Sequence, residues 1–568
     1  MGARRTTRRI RLLLVLFVVV FGVILARTAW LQTVRADDYG RMAAKQQHQT
    51  VSVSAGRGTI FDRMGVQLAI GEDATTVYAN PREVQNPRAV ALAAQKHLGV
   101  SANALYPLLI DKSKGFVYVL RRADPKRAEA LEREGLAGVG FYSEERRVYP
   151  QGAVGSHLLG YAGLDNRGLA GLELGLDKTL TGRPGSETIV RDPLGRTIDV
   201  VSSEPAREGR DVFLTIDHTI QANAESVLQR TVKQWGAKAA TAIVLDPHSG
   251  AVLAMAVAPG YDANRYPSVP PAVQRNRGVT DTYEPGSTFK LVTVAAALSE
   301  RIVSATTPFR LPYSIRVADK IIHDSHPRGT ETLTVGQILS HSSNVGAATL
   351  GGLLGKETLA KWVARFGFGQ QTGIDFPGES PGIVAPVDRW YGSSIGTVPI
   401  GQGIAVTPIQ MAAAYGAVAN GGVWVQPHLV ASTVGGKRPA VERRRILSES
   451  VAHQLLSMMI NVVAEGTGTL AHVPGYLVAG KTGTAQKPDP ATGGYSRSRY
   501  VASFVGFVPA SKPRLVILVS VDEPRGAIWG GVVAAPAFRD IAKFDLQYLE
   551  VPPDRAGEMA AGSTSAGP

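Results

Sequence analysis

A serine and a lysine three residues apart stand in the stretch EPGSTFK, which covers Glu284–Lys290. The Pro-Gly pair before the serine favours a turn, and the apolar run after Lys290 predicts a helix that begins near Ser287. Residues three apart share one helix face, so the amine could take the hydroxyl proton if burial keeps it neutral. The positive end of the helix dipole would also favour an alkoxide. The pattern is typical of an activated serine nucleophile, but a helix-capping serine beside a solvated lysine fits it as well.

Two further motifs distinguish between these alternatives. SHSSNVGAA contains Ser342 and Asn344 two residues apart, and VAGKTGTAQ contains Lys481-Thr482-Gly483-Thr484 on a predicted strand. Ser-x-x-Lys, Ser-x-Asn and Lys-Thr-Gly, in this order and at domain-scale spacing, resemble the signature set of penicillin-binding proteins and related β-lactamases. The resemblance makes Ser287 a candidate nucleophile and Lys290 its candidate base.

The remaining motif residues suit acyl transfer. The Ser342 hydroxyl could relay a proton toward a leaving amine, and the Asn344 amide could orient a substrate peptide by hydrogen bonding. Lys481 would place positive charge beside this relay and beside a bound carboxylate.

The strand with the third motif would bind substrate and stabilise charge. Gly483 lets the backbone come close to a ligand, and the hydroxyls of Thr482 and Thr484 could hold a substrate carboxylate. The main-chain N–H groups of Ser287 and Thr484 would form an oxyanion hole, in which each donor is typically worth ~3 kcal/mol.

Other conspicuous residues suggest no further chemistry. We expect His341 to pack or to lie at the surface, and His323 and His326 lack the partners that would complete a metal site. Arg57 and Glu173 are expected to pair or to anchor turns in the first half of the chain. The glycines of GQGIAV do not form a nucleotide loop, because no acidic partner follows a strand-turn-helix there.

Composition limits the broader alternatives. The 568 residues imply two or more domains, and 44% hydrophobic with 19% charged residues is ordinary for a globular protein. The net charge is +14, and apart from five arginines in the first eleven residues the excess is spread along the chain without a basic-aromatic stripe. This disfavours nucleic acid as a partner and suits a surface that faces an anionic membrane or polymer. The absence of cysteine excludes disulfides, thiolate metal sites and cysteine nucleophiles.

The N-terminus carries one candidate membrane span. Five arginines among the first eleven residues precede the uncharged run LLLVLFVVVFGVILA, which starts at Leu12. Extended through Arg27 to Leu31, the run reaches about 30 Å, enough to cross a bilayer. The arginines predict a cytoplasmic N-terminus. Because no clean cleavage site follows, we expect an uncleaved single-pass anchor rather than a signal peptide, with everything after about residue 32 outside the cytoplasm.

The sequence divides into six predicted segments. They are a cytoplasmic tail (1–11), a transmembrane helix (12–31), a juxtamembrane linker (32–49), a non-catalytic pedestal domain (50–216), a catalytic domain (217–551) and a tail (552–568). The tail is small, polar and rich in Pro and Gly, which predicts disorder.

Patterning within the two domains predicts an α/β multidomain fold. The linker is helical, the pedestal begins with strands around TVSVS, 86–140 is helical with polar breaks, and 147–196 is glycine-dense and made of turns and short elements. The catalytic domain begins with a helix near Asp217, which is followed by a hairpin around DPHSG.

The rest of the catalytic domain places helices between strands. Helices dominate 290–419, strands return at YLVAGKTGTAQ, YVASFVGFVP and RLVILVSVDEP, and a last helix covers 534–549. Strands at both ends with helices between them predict a mixed sheet with a helical insertion.

Longer stretches resemble the class B penicillin-binding proteins. RNRGVTDTYEPGSTFK, IGQGIAVTPIQMAAAYGAVANGG and EGTGTLAHVPGYLVAGKTGTA are similar to the transpeptidase domain of that class. GRGTIFDRMG, RVYPQGAVGSHLLGYAG and GLAGLELGLDKTLTGRPG are similar to its pedestal, so that the resemblance covers about 50–545. It implies an α+β pedestal and a β-lactamase-like penicillin-binding domain.

The same resemblance implies an activity. A class B enzyme is a peptidoglycan D,D-transpeptidase, which here would acylate Ser287 with a stem peptide, expel a terminal D-alanine and pass the acyl group to an amine on a neighbouring strand. β-Lactams would mimic the donor and acylate the same serine. No metal or organic cofactor is implied.

Within the class, the Ser-Ser-Asn motif and the length resemble the division-specific septal type (the FtsI or penicillin-binding protein 3 type). The elongation-specific paralogue more often carries Asp at the position of Asn344. The septal type implies a location in the cytoplasmic (inner) membrane at the division septum, with the bulk periplasmic. It also implies a SEDS-type, FtsW-like glycan polymerase and other divisome membrane proteins as partners. An elongation-specific enzyme, a D-alanyl-D-alanine carboxypeptidase, a β-lactamase and a catalytically silent scaffold or sensor stay open as alternatives.

Overall fold

The computed structural model describes residues 2–53, 55–191, 197–436, 440–489 and 493–554. The chain forms two compact units, Met1–Gly56 with Gly182–Glu208, and Arg57–Thr181 with Gly209–Pro568. Most of the tail predicted to be disordered, 555–568, lies outside the described residues.

Short helices and strands alternate in the first part of the chain. The helices are α1 (Gly2–Thr33), α2 (Ala36–Gln47), α3 (Pro87–Leu98), α4 (Ala102–Ile110), α5 (Pro125–Glu132), α6 (Ser156–Leu159), α7 (Gly171–Gly175) and α8 (Asp177–Leu180). The strands are β1 (His48–Val53), β2 (Ile60–Phe61), β3 (Gln67–Ala79), β4 (Val117–Ala123), β5 (Val139–Val148), β6 (Tyr161–Ala162), β7 (Gly168–Ala170), β8 (Gly185–Arg191), β9 (Thr197–Glu204) and β10 (Val212–Leu214).

The second part of the chain continues with helices α9 to α20 and strands β11 to β22. The helices are α9 (His218–Trp235), α10 (Pro271–Gln274), α11 (Arg277–Thr280), α12 (Lys290–Ser299), α13 (Val335–Ser340), α14 (Asn344–Leu354), α15 (Lys356–Arg365), α16 (Ser394–Thr397), α17 (Pro408–Ala419), α18 (Glu449–Ala464), α19 (Gly530–Val533) and α20 (Ala535–Tyr548). The strands are β11 (Ala239–Leu245), β12 (Val252–Ala258), β13 (Pro308–Leu311), β14 (Ser314–Val317), β15 (Lys320–His323), β16 (Glu331–Thr334), β17 (Val423–Val425), β18 (Val430–Thr433), β19 (Arg443–Arg445), β20 (Ala479–Asp489), β21 (Gly494–Val508) and β22 (Leu515–Asp522). Short 3-10 helices cover Ala263–Ser268, Gly286–Phe289, Val387–Arg389, Val398–Ile400 and Thr469–Ala471.

The first unit holds the N-terminal helices and a three-stranded sheet, in the order β1-β8-β9. Within α1, Thr7–Thr33 is long and apolar enough to cross a membrane, which is consistent with a single-pass anchor and includes the predicted span. Near its end, the guanidinium groups of Arg27 and Arg35 lie 4.6 Å and 5.3 Å from the Trp30 ring centroid. This combination of tryptophan and arginine suits a membrane interface. The predicted helical linker corresponds to α2.

The pedestal part of the second unit is built on β3, which pairs with β4 along one edge and with β5 along the other. Its buried face packs against α3, α4 and α5. The prediction of helices alone over 86–140 is therefore wrong in part, since β4 and the start of β5 lie inside that range. Strand β4 buries three of its seven residues and β5 buries only one, so neither gives a sustained apolar alternation, and the helix α5 lies between them.

A buried ionic cluster holds the glycine-dense pedestal segment together. Glu173 is fully buried and accepts hydrogen bonds from Arg57 Nε at 2.7 Å and from Arg147 Nε at 2.6 Å. Arg57 Nη1 also donates to Asp177 Oδ1 at 2.7 Å. The predicted pairing of Arg57 with Glu173 is thus confirmed, and the cluster ties the start of the pedestal to α7 and α8.

We expect Glu173→Ala to lower the free energy of unfolding by about 3–5 kcal/mol, because it removes the buried carboxylate that pairs with Arg147 and one of the two that pair with Arg57. Glu129→Ala is the matched control, since Glu129 pairs with Arg133 at 3.6 Å with both side chains mostly exposed. That change should alter stability by less than about 1 kcal/mol. Denaturant unfolding of both variants checks the difference, and equal losses would contradict the assigned role of the buried cluster.

The catalytic part contains a five-stranded sheet in the order β12-β11-β22-β21-β20. One face packs against α9 and α20, and the other packs against α12, α17 and α18. Every pairing in this sheet is antiparallel. The sheet that contains a parallel pairing, and is therefore mixed, is the one in the pedestal, where β2 pairs with β10. The predicted hairpin around DPHSG, the three later strands and the last helix are confirmed.

One predicted helix start agrees with the structure, and one predicted helical region agrees only in part. Helix α9 begins directly after Asp217, whose side chain caps it, as predicted. The predicted helical insertion over 290–419 also contains the strand pairs β13–β16 and β14–β15. These four strands are four residues long and mostly exposed, so they leave no periodic apolar pattern in the sequence.

Candidate active site

Ser287 lies in the 3-10 turn Gly286–Phe289, and the regular helix α12 begins directly after this turn, at Lys290. The helix start predicted near Ser287 is therefore present, but its first turn is tighter than an α-helix. The chain enters this turn through Gly286, whose φ is +54°. Residues three apart are eclipsed in a 3-10 turn, so Lys290 follows Ser287 on the same side of the chain.

Lys290 is fully buried and connects the first motif to the second. Its Nζ donates to Asn344 Oδ1 at 2.7 Å and to the Ser342 carbonyl oxygen at 2.5 Å, and lies 3.3 Å from Ser342 Oγ. These three contacts of the described chain reach the second motif and do not involve Ser287. Burial lowers the pKa of Lys290 to about 7, although the charge of Asp324 opposes this shift.

Lys481 is also fully buried, and it approaches Ser342 from β20. Its Nζ donates to Ser342 Oγ at 2.9 Å and lies 3.3 Å from both oxygens of Thr482. Burial, and then repulsion by Lys290, lower the pKa of Lys481 well below its usual value. Two buried amines that share one hydroxyl oxygen disfavour each other's charge, so the pair favours a state with at least one neutral amine.

Ser342 is held in a strained position between these two lysines. Its φ of +60° is in the left-handed region, which is uncommon for a residue with a side chain. Such strain concentrates at functional sites, where the surrounding contacts maintain it. A hydroxyl oxygen that accepts from two amines must direct its own hydrogen elsewhere, which suits proton delivery to a bound group.

The loop after β15 fixes the second motif through Asp324, which is almost fully buried. Asp324 Oδ1 accepts from the main-chain N–H of Asn344 at 2.6 Å and of Val345 at 3.0 Å, at the start of α14. The Ser343 hydroxyl and the Arg328 guanidinium also donate to this carboxylate. Asp324 thereby orients Asn344 and supplies the charge that faces Lys290. The sequence analysis missed it, because Asp324 lies in a loop, where no helix or strand spacing marks its partners.

We expect Asp324→Asn to slow acylation of Ser287 by roughly tenfold or more. The change replaces an acceptor oxygen of the carboxylate by an amide nitrogen. Loss of a hydrogen bond to a charged group costs about 1.5–3 kcal/mol, and Asn344 is then held less firmly. Asp319→Asn serves as the control, because Asp319 is exposed in the neighbouring β14–β15 turn. Acylation by a labelled penicillin measures both, and equal rates in the two variants would contradict the positioning role.

The third motif lies on an edge strand beside the nucleophile turn. Among the described strands β20 pairs with β21 alone, so alternate main-chain N–H groups along its other edge face away from the sheet. A Cβ on Gly483 would lie 3.0 Å from the Pro285 carbonyl oxygen and 2.4 Å from Ser503 Oγ. Only glycine lets the strand approach the turn this closely.

The two motif threonines make contacts on the other side of the strand. Thr482 Oγ1 lies 2.7 Å from Thr467 Oγ1, and Thr484 Oγ1 accepts from the Gly530 main-chain N–H at 3.1 Å. Each hydroxyl is therefore oriented by a neighbouring segment. The structure brings Lys290, Ser342, Asn344 and Lys481 into hydrogen-bond contact and places the strand of the third motif beside the turn of Ser287. We refer to this region as the cleft.

A glycine loop that the sequence analysis set aside supports the nucleophile turn. Gly401 accepts a hydrogen bond from the Gly286 main-chain N–H at 3.0 Å, and Gly403 donates to Glu284 Oε1 at 2.9 Å. A Cβ on Gly401 would lie 2.2 Å from the Gly286 carbonyl oxygen. The glycines of GQGIAV therefore permit close packing behind Ser287, a role that is visible only once the fold is known.

The histidines near the site do not gather around it. His341 is exposed, His323 Nδ1 lies near the Asp324 carbonyl oxygen, and the His326 ring stacks on Trp529 with centroids 5.7 Å apart. Among the described residues, one group of possible metal ligands occurs elsewhere, at Asp62 and the start of α9. There His218 Nδ1 lies 2.7 Å from Asp62 Oδ2, so the group joins the pedestal to α9 by its own contacts.

Two family models match the chain. The model of the penicillin-binding protein transpeptidase domain matches residues 240–543, which contain all three motifs. The model of the penicillin-binding protein dimerisation domain matches residues 52–214.

Individual proteins are similar over nearly the whole chain. Stage V sporulation protein D of Bacillus subtilis is 36% identical over 97% of this chain and 88% of its own length. The peptidoglycan D,D-transpeptidase FtsI of Escherichia coli is 32% identical over 94% of this chain and 90% of its own length. The crystal structure of penicillin-binding protein 3 from Mycobacterium tuberculosis with aztreonam superposes with a TM-score of 0.71 at 30% identity, covering 89% of this chain and 98% of that one.

Proposed function

The chain belongs to the class B penicillin-binding proteins, and on this premise we propose that it is a peptidoglycan D,D-transpeptidase that acts through an acyl-enzyme on Ser287. The observation that carries the mechanism is the pair of buried lysines on either side of Ser342, of which Lys290 lies one turn after Ser287. The boundaries at 50–216 for the pedestal and 217–551 for the catalytic domain stay part of this proposal.

The first step is acylation. A neutral amine has two N–H donors and one lone pair, and the Ser342 carbonyl oxygen and Asn344 Oδ1 can take both donors of Lys290. The lone pair is then free to accept the Ser287 proton as Oγ attacks the penultimate carbonyl of a D-Ala-D-Ala stem peptide. The new ester bond forms at Ser287 Oγ, and the peptide C–N bond breaks.

The proton then returns to the leaving group. It passes from Lys290 through the Ser342 hydroxyl to the nitrogen of the departing D-alanine, and Lys481 stabilises the relay electrostatically. The main-chain N–H groups of Ser287 and Thr484 are proposed to hold the oxyanion, each worth about 3 kcal/mol. Asn344 orients the donor peptide, and the hydroxyls of Thr482 and Thr484 bind its terminal carboxylate.

The second step transfers the acyl group to an amine. The amine nitrogen forms a new amide bond with the acyl carbon, the ester bond breaks, and one amine proton returns to Ser287 Oγ. β-Lactams would acylate the same serine as donor mimics. Because burial and side-chain chemistry account for each proton, this proposal invokes no metal or organic cofactor.

The activity test uses the full-length chain in detergent with a stem-peptide donor and an amine acceptor. We expect release of D-alanine together with a cross-linked product. Transfer of the acyl group only to water would favour the carboxypeptidase alternative, and rapid turnover of penicillin would favour a β-lactamase. The absence of any D-alanine release would leave the silent scaffold as the better account.

We further propose the septal role within this family. The support is the Ser-Ser-Asn form of the second motif, with Asn344 rather than Asp, and the likeness to FtsI. A cytoplasmic N-terminus, an anchor in α1 and a periplasmic bulk would place the enzyme beside an FtsW-like SEDS polymerase and other divisome proteins. Localisation of a fluorescent fusion tests this role, and label spread along the lateral wall would favour the elongation-specific alternative.

A further inference from the structure

The groove between α13 and α18 leads away from the second motif, and the mechanism above does not use it. It has a volume of about 480 Å³. Its polar walls are formed by one face of each helix. The lining side chains that carry the argument are Gln337, His341, Gln454, Ser457, Asn461 and Glu465.

One end of the groove adjoins the catalytic cleft. A Cβ on Gly466 would lie 2.6 Å from the Ser340 carbonyl oxygen, so Glu465 is next to the end of α13, just before Ser342. Two residues further on, Thr467 contacts Thr482 of the third motif at 2.7 Å. His341 lines both the groove and the smaller cavity of about 160 Å³ that contains Ser342. These contacts place the Glu465 end of the groove beside the loop that carries Ser342.

The charge at that end favours a cation. Glu465 is exposed, and among the described residues it forms no ion pair with a lysine or arginine. It follows Ala464 at the C-terminus of α18, a 16-residue helix with no basic residue in its last turn. The negative end of a helix dipole and a free carboxylate both attract a positive group. No lysine or arginine lines the groove to compete for this position.

The rest of the groove suits a peptide. Gln337 Oε1 is bound to the Thr334 main-chain N–H, which leaves its amide N–H groups directed elsewhere. On the facing helix, Ser457 and Gln454 donate to carbonyl oxygens of α18 and so offer their oxygens as acceptors, while Asn461 adds an amide and Met458 an apolar contact. Such side chains bond peptide amides without demanding a charge.

We propose that the groove between α13 and α18 binds the acceptor, a second stem peptide whose free side-chain amine is held by Glu465 at the edge of the cleft. This inference rests on the proposed transpeptidase function and adds the site of its second substrate. The ammonium group loses one proton to solvent as it leaves Glu465. The neutral amine then forms the amide bond with the acyl carbon, the ester of Ser287 breaks, and the second proton returns to Ser287 Oγ.

The test separates acylation from acyl transfer in the full-length chain. A thioester stem-peptide donor loads Ser287, and a soluble stem peptide with a free side-chain amine competes with water. We expect the acylation rate of Glu465→Gln to lie within twofold of the wild-type rate. We expect the variant to need at least tenfold more acceptor peptide to reach the wild-type ratio of aminolysis to hydrolysis. Glu449→Gln is the matched control, because Glu449 is exposed at the other end of the same helix.

A second variant tests the length of the groove. Ser457→Trp should obstruct the peptide acceptor, while hydroxylamine, which needs no groove, should still cleave the acyl-enzyme at the wild-type rate. The proposal is overturned if Glu465→Gln and Ser457→Trp both give the same ratio of aminolysis to hydrolysis as Glu449→Gln. If the donor never acylates the wild-type chain, the proposed transpeptidase function itself is contradicted. If both variants are acylated normally and their ratio of aminolysis to hydrolysis is unchanged, only the proposed acceptor site is contradicted.

Discussion

Replacing Ser287 by alanine is expected to abolish covalent labelling by penicillin and to lower donor turnover by about 10³-fold or more, since no other group can form the ester. Ser287 is half-buried in a turn that is held by the main chain of Gly286 and Gly401, so loss of one hydroxyl should not disturb the fold. The measurement is fluorescence of the labelled band after denaturation, together with D-alanine release.

Ser343→Ala is an informative comparison for that result. Ser343 lies in the second motif but its hydroxyl donates to Asp324, not to the reacting atoms. It should reduce labelling only partly. Equal labelling of the wild type and the Ser287→Ala variant would contradict the assignment of the nucleophile. Growth of a depleted strain rescued by Ser287→Ala would support a scaffold role instead.

Replacing Lys290 by methionine is expected to slow acylation by about 10²–10⁴-fold, the usual contribution of a general base. The pKa of Lys290 is lowered to about 7, so the base form is scarce below pH 7 and dominant above it. Wild-type acylation should therefore rise as the pH passes through about 7 and then level off. The variant should show a low rate without that step.

The fold of the methionine variant supplies the control. Lys290 is fully buried, and methionine has a similar length without an amine to desolvate, so thermal unfolding should not occur at a lower temperature. Stopped-flow or quench measurements of penicillin acylation between pH 5.5 and 8.5 give the two profiles. The same pH step in both proteins would contradict Lys290 as the titrating base.

The catalytic sheet was predictable because its strands have strong signals. Strands β20, β21 and β22 are long, largely buried runs bounded by turn residues, and the last helix follows them with clear amphipathic spacing. The strands from β13 to β16 were not predictable, since each buries at most one residue. Their function is to carry Asp324 to the second motif, which no local pattern expresses.

The candidate site was predictable in its members but not in its connections. The three motifs identified Ser287, Lys290, Ser342, Asn344 and 481–484 from their order alone. That Lys290 hydrogen-bonds the second motif, 52 and 54 residues away, depends on how α12 packs beside α14. The close approach of Gly401 to the nucleophile turn likewise arises only in the folded chain.

The central claim is that Ser287 carries the acyl group, and mapping the adduct tests it most directly. The full-length chain is treated with penicillin, digested and analysed by mass spectrometry. We predict one added acyl mass on the peptide that contains Ser287, with none on that peptide when Ser287 is alanine. An adduct on a peptide from another part of the chain, or the same adduct in the alanine variant, would contradict the account.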